Sequence, residues 1–255
     1  MIALGAGTVG GQGGYAEDLF ISEYIEGSSY NKALEIFNGT GSQIDLSDYR
    51  VEVYFNGNPD PSAQLDLSGT LANNEVYVLA NSSADPAILA AADATNNYVV
   101  NYNGDDAIAL RKISTGGYVD IFGVIGDDPG SAWTADGGYS TSEKTLVRIP
   151  TVASGITANP SGTGPEAFTT LATEWGVYPA DTFTDLGSHT FEGGGEEVDP
   201  PTIQASQIVS FPTSATVALE WTPGDGTRRV VKVNTSNSFT PPADGTNPSA
   251  DPAWN

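Results

Sequence analysis

From Leu19 onward the chain alternates apolar and polar residues in short runs. LFISEYI, KALEIFN, YRVEVYF, EVYVLAN, NYVVNYN, DAIALRK and YVDIFGVI follow one another up to Ile125. A period of two over runs of this length predicts half-buried β-strands. FNGTG, NGNPDPS, STGG and DDPG supply turns among them. Many short strands with this punctuation predict a β-sandwich or barrel.

One segment departs from the pattern. In SADPAILAAADAT, Asp85 suits an N-cap, Pro86 suits the first helical position, and the alanines favour helix. A short helix packed over one end of the sandwich is expected there. The Gly-, Pro- and Thr-rich stretch from Pro150 to Glu174 is expected to run over the surface. Trp175 and YPADTFTDLGSHTF then return the chain to the core as a last strand.

Both ends of the chain read differently. IALGAGTVGG contains a literal G-x-G-x-x-G at Gly5, Gly7 and Gly10, but GQGGYAED follows it, and glycine disfavours the helix a dinucleotide site requires. Residues 1–17 are therefore a glycine-rich leader, a linker or a donated strand. The sandwich is expected over 18–191 and a flexible acidic linker over 192–201. QASQIVSF, SATVALEWT and RRVVKVNTS predict three strands in 202–255. They resemble the opening of a fibronectin type III-like domain, with Trp221 as its early core tryptophan. A sandwich of that kind needs roughly 90–100 residues, so this second domain is incomplete as it stands.

Charge narrows the function. Thirty-two acidic residues against nine Lys and Arg give a net charge of −23. Nucleic-acid affinity rests on Lys and Arg displacing counterions, so direct binding of DNA or RNA is not expected. An acidic surface keeps a protein soluble and suits a saline exterior. The chain has no cysteine, which excludes disulfides, thiolate nucleophiles and cysteine-ligated metals. No apolar run is long enough to span a membrane, and the opening residues lack the basic and apolar regions of a signal peptide.

SEYIEGSSYNKALEIFN, Ser22 to Asn38, is similar to the signature of the lamin tail domain of secreted bacterial proteins. IDLSDYRV, NGDDAIAL, VDIFGVIGDDPGSAW, KTLVRIP and EWGVYPADTFTDLGSHT resemble later motifs of that family in the same order, so the resemblance covers residues 18–191. It implies an all-β, immunoglobulin-like β-sandwich. It also implies an accessory or binding module of extracellular proteins, often joined to a nuclease, a phosphatase or a sorting domain.

Candidate chemistry is sparse. The single histidine, His189, is expected to be a structural hydrogen-bonder. Glu23, Glu26 and Glu35 lie on adjacent predicted strands, but a glycosidase pair needs a cleft and raised pKa values. Glu23 and Glu35 are expected to bond loop amides or to pair with Lys32, fixing the first hairpin. Asp105 and Asp106, and Asp127 beside Asp128, stand in turns able to offer oxygens to calcium. Asp105, Asp106 and Asp127 are the candidate ligands, although no EF-hand loop is present. Calcium is thus the one candidate cofactor. Tyr30, Tyr54, Tyr139 and Trp133 are candidates for stacking on glycans.

The expected function is a non-catalytic structural or interaction module of a larger secreted or cell-surface protein. Its partners are other domains of that protein, or neighbouring copies met through sheet edges. One alternative is a filament subunit assembled by strand donation from the leader. The other is an accessory region of a secreted nuclease or other hydrolase.

Overall fold

The structure, a computed structural model, describes residues 14–193, 206–212 and 217–222. The chain divides into two compact units, Gly14–Gly194 and a second that contains the residues after Gly194. The first unit opens with β1 (Phe20–Glu26), β2 (Lys32–Phe37), β3 (Ile44–Asp45), β4 (Tyr49–Tyr54), β5 (Ala63–Asp66), β6 (Thr70–Leu71) and β7 (Val76–Ala80). Helix α1 (Pro86–Ala91) leads to β8 (Ala94–Thr95), β9 (Ala107–Lys112) and β10 (Tyr118–Phe122). The chain continues through β11 (Thr134–Ala135), β12 (Tyr139–Ser140), β13 (Lys144–Arg148), α2 (Leu171–Glu174) and β14 (Trp175–Pro179).

The first unit is an immunoglobulin-like β-sandwich. One sheet has six strands in the order β14-β13-β1-β2-β7-β8, and the other has four in the order β10-β9-β4-β5. All pairings are antiparallel except the short β7–β8 contact. Between the sheets lie Leu19, Ile21, Tyr24, Leu34, Ile36, Val51, Val53, Ile108, Leu110, Ile121 and Phe122. Burying these side chains is the main driving force for the fold. Tyr24 stacks between Tyr102 and Phe122 at centroid distances of 4.9 and 4.2 Å.

A bulge in β1 controls what the outer face of the six-stranded sheet carries. Ile21 opposes Ile36 and Glu23 opposes Glu35, so Ser22 is the extra residue. Phe20 and Ile25 then leave the main core, while Ile21 and Tyr24 remain in it. This outer face is not solvated. Ile25, Ala33 and Ala80 pack under Ile88 of α1, with Phe183 and Leu186 beside them. Phe20 and Phe37 pack under Phe191. Helix α1 forms where its sequence predicts, with the Asp85 carboxylate accepting the Ala87 amide at 2.8 Å.

Three segments differ from expectation. NYVVNYN forms no strand, yet Val99, Val100 and Tyr102 are buried. The Asn96 side chain accepts the Tyr98 and Val99 amides, and Asn81 donates to the Val100 carbonyl. Side-chain amides replace a ladder there, and the alternation reported burial rather than a strand. The stretch 150–174 is anchored rather than superficial, because Ala167, Phe168 and Leu171 enter the core and α2 follows. The last strand stops at Pro179; residues 180–193 cross the outer face without a ladder.

In the second unit β15 (Ser206–Pro212) and β16 (Val217–Thr222) form an antiparallel hairpin, with Pro212 opposite Val217. The glycine-rich leader through Gly13, the linker beyond Gly193, the predicted strand RRVVKVNTS and the Trp221 side chain lie outside the described residues.

Candidate functional site

The loops at one end of the sandwich hold the aspartates singled out as calcium candidates. Asp106 is buried just before β9; its two oxygens accept the amides of Asn56 at 2.8 Å and Asn103 at 2.7 Å. It thereby closes its own turn and holds the loop after β4, where Asn56 adopts a left-handed φ of 49°. Asp127 accepts the Gly164 amide with both oxygens, at 3.1 and 2.9 Å. Asp105 is partly exposed, and its pKa is raised by burial and then by the charges of Asp128 and Glu26. Among the described residues no group of three or more His, Asp or Glu side chains is placed to hold a metal ion. Two of the three candidates are thus engaged by backbone amides of separate loops.

At the same end Lys32 pairs with Glu26 at 2.6 Å, and both are buried. Glu26 also accepts the Glu143 amide, tying the β12–β13 loop to the first hairpin. The lysine therefore serves Glu26 rather than Glu23 or Glu35. The tight turn of that hairpin is held by Asp181, which accepts from the Ser28 amide and hydroxyl and from Asn31.

Glu23 and Glu35 form the most unusual constellation. They oppose each other on the outer face of the sheet, and each is about 1% exposed. Glu35 accepts the Ser22 hydroxyl at 2.7 Å and the Gly187 amide at 2.7 Å. Neither oxygen of Glu23 has a hydrogen-bond partner among the described residues. Burial, then the charges of Glu35 and Asp185, push the Glu23 carboxyl up to about 9. Burial also raises Glu35, to about 7, against the opposing effect of hydrogen bonds from Ser22, Gly187 and Ser188. Raised carboxyl pKa values can mark an acid–base pair; this pair lies beneath the chain around Gly187.

Asp120 on β10 joins the two sheets. Wholly buried, it accepts the amides of Ile21 on β1 at 2.8 Å, Ile156 at 2.8 Å and Ile121 at 2.9 Å. Arg148 on β13 contacts it at 3.2 Å, reaches Glu174 at 3.0 Å, and lies 4.7 Å from the Trp175 ring. Arg148 Nε and Trp175 Nε1 remain without hydrogen-bond partners among the described residues.

Contrary to expectation, His189 Nε2 is buried without a hydrogen-bond partner among the described residues. Its ring sits edge-on between Phe20 and Phe37, at 5.7 and 4.9 Å, and burial lowers its pKa to about 4. Of the aromatic glycan candidates, Trp133 and Tyr54 are core residues, Tyr139 is half-buried, and Tyr30 is exposed. Sequence alternation cannot tell an aromatic on a loop rim from one turned inward by a loop that folds back. Among the described residues no helix is long and apolar enough to cross a membrane.

The arrangement defines a structural immunoglobulin-like domain whose buried polar groups mostly bind its own loops. Residues 14–126, from before β1 to just beyond β10, match the family model of the Lamin Tail Domain. No curated protein and no solved structure matches the chain.

Proposed function

We propose that this chain is a non-catalytic structural and interaction module of a larger extracellular or cell-surface protein. The observation that carries the reading is the use made of its buried acids. Asp106, Asp120, Asp127, Glu26 and Glu35 each accept backbone amides that connect separate segments. Carboxylates used in this way serve to hold loops together, which is a structural role. The lamin tail match supports a structural role, and the charge of −23 with no cysteine is compatible with a saline exterior.

The test has two arms. The purified full chain is assayed on DNA, phosphate monoesters and polysaccharides, with no turnover expected. Antibodies raised against residues 14–193 are then applied to intact cells and culture medium. Label on the surface or in the medium is the expected result. Hydrolysis that tracks the chain through purification overturns the non-catalytic reading, and label confined to lysed cells overturns the placement.

A further inference from the structure

The outer face of the six-stranded sheet is covered by a ladder-free segment resting on two ionisable groups. Residues 181–191 run from the Asp181 anchor at the first hairpin, past Phe183 and Leu186 over Ile25, to His189 and Phe191 over Phe20 and Phe37. Between these two apolar contacts the segment meets Glu35 through the Gly187 amide, with Glu23 directly opposite. We propose that residues 181–191 form a strap that the Glu23–Glu35 carboxyl pair holds closed while Glu23 keeps its proton, and releases when both carboxyls are ionised.

The geometry supplies the reason. Two buried carboxyl groups oppose each other on β1 and β2, and among the described residues their hydrogen-bond partners are Ser22, Gly187 and Ser188, all on Glu35. A second negative charge there is both desolvated and repelled, and neither cost can be relieved while the strap excludes water. Opening the strap hydrates both groups at the loss of the contacts Phe183, Leu186 and Phe191 make with two small apolar clusters.

The charged surroundings do not cancel this effect. Asp185 on the strap adds a like charge. His189 on the strap stays neutral above about pH 4. At one end Arg148 is engaged by Asp120 and Glu174, and at the other Lys32 is engaged by Glu26. From the inner side Tyr102 donates its hydroxyl to the Ala33 carbonyl, and its own pKa lies well above the usual value. The neighbouring strands place Val147 opposite Glu23 and Val78 opposite Glu35. Asp93 accepts the Val78 amide, and PAILAA of α1 has no titratable side chain.

Hydrogen exchange of the full chain, corrected for intrinsic rates and resolved at the Gly187 amide, tests the strap between pH 6 and 9.5. Opening releases the Glu23 proton, so protection at Gly187 is expected to fall about tenfold per pH unit from pH 7 to 9. Amides of β1 and β13 keep their protection over the same range. In Glu23→Gln, which is isosteric with the protonated acid, the fall is expected to vanish. Glu35→Gln, which removes the repulsion but leaves Glu23 buried, serves if the first variant does not fold: its fall in protection is expected to level off at a lower pH than in the wild type. A flat wild-type profile overturns the proposal, as does a profile unchanged in either variant. Simultaneous loss of protection in the strap and the sheet also overturns it.

Discussion

Glu23 and Glu35 stand directly opposite each other on β1 and β2, buried to the same degree, yet among the described residues only Glu35 has hydrogen-bond partners. The difference follows from the Ser22 hydroxyl at the bulge and the Gly187 amide, which both donate to Glu35, while Glu23 meets the like charges of Glu35 and Asp185. Protonation of Glu23 is therefore part of the native fold near neutral pH.

Global stability is expected to fall with rising pH on this account. The folded chain binds a proton at Glu23 up to about pH 9, whereas an unfolded glutamate releases it near 4.5. Between pH 7 and 9 only the folded state carries that proton, so unfolding free energy drops by up to about 1.4 kcal/mol per pH unit. Glu35 adds to the slope between 4.5 and about 7. Urea midpoints measured across pH 7–9 should decline for the wild type and stay level for Glu23→Gln.

His189 works in the opposite direction. Its folded pKa of about 4 lies below the ordinary 6.5, so its neutral ring contributes stability that is present above pH 6.5 and lost as pH falls towards 4. His189→Phe, which cannot charge, should gain about 2 kcal/mol relative to the wild type on going from pH 7 to pH 5. Equal pH dependence of the two proteins in chemical denaturation would show that the imidazole meets water in the folded state.

Asp120→Ala removes the acceptor of three amides and the partner of buried Arg148. Breaking one side of a buried pair typically costs about 3–5 kcal/mol, because the remaining charge is left uncompensated. The double variant with Arg148→Met should lose less than the sum of the single losses. A single-variant loss under about 1 kcal/mol would remove Asp120 from its place as the link between the sheets.

Asp106→Ala frees the Asn56 and Asn103 amides and is expected to cost about 2 kcal/mol. The loss should be the same in calcium and in a chelator, since both carboxylate oxygens already accept amides. A loss seen in calcium alone would reassign Asp106 to a cation, together with Asp105 and Asp127.

Gly155 is held to glycine by proximity. An added Cβ would lie 2.2 Å from the Val119 carbonyl and 2.5 Å from Asp120 Cβ. Gly155→Ala must displace the loop that brings the Ile156 amide to Asp120, at a cost of about 3 kcal/mol. Wild-type thermal stability in that variant would show that the loop has room to shift.

Much of this protein was determined by its sequence alone. Period-two alternation placed β1, β2, β4, β7, β9 and β10 because successive residues of a strand face opposite sides of the sheet, although β1 and β2 proved to be buried on both faces. Asp85-Pro86 placed α1, and the motifs from Ser22 to Thr190 resembled the domain whose family model matches residues 14–126. Only the tertiary structure decided which apolar runs were strands and which were buried turns, as at Val99 and Val100. It alone showed that a single extra residue in β1 sets Glu23 against Glu35, because a bulge changes the face without changing the composition. Pairings such as Ile21 with Asp120, or Glu35 with Gly187, join residues 99 and 152 positions apart. Local pattern contains no term for contacts at that separation, and they exist only once the two sheets and the strap have packed.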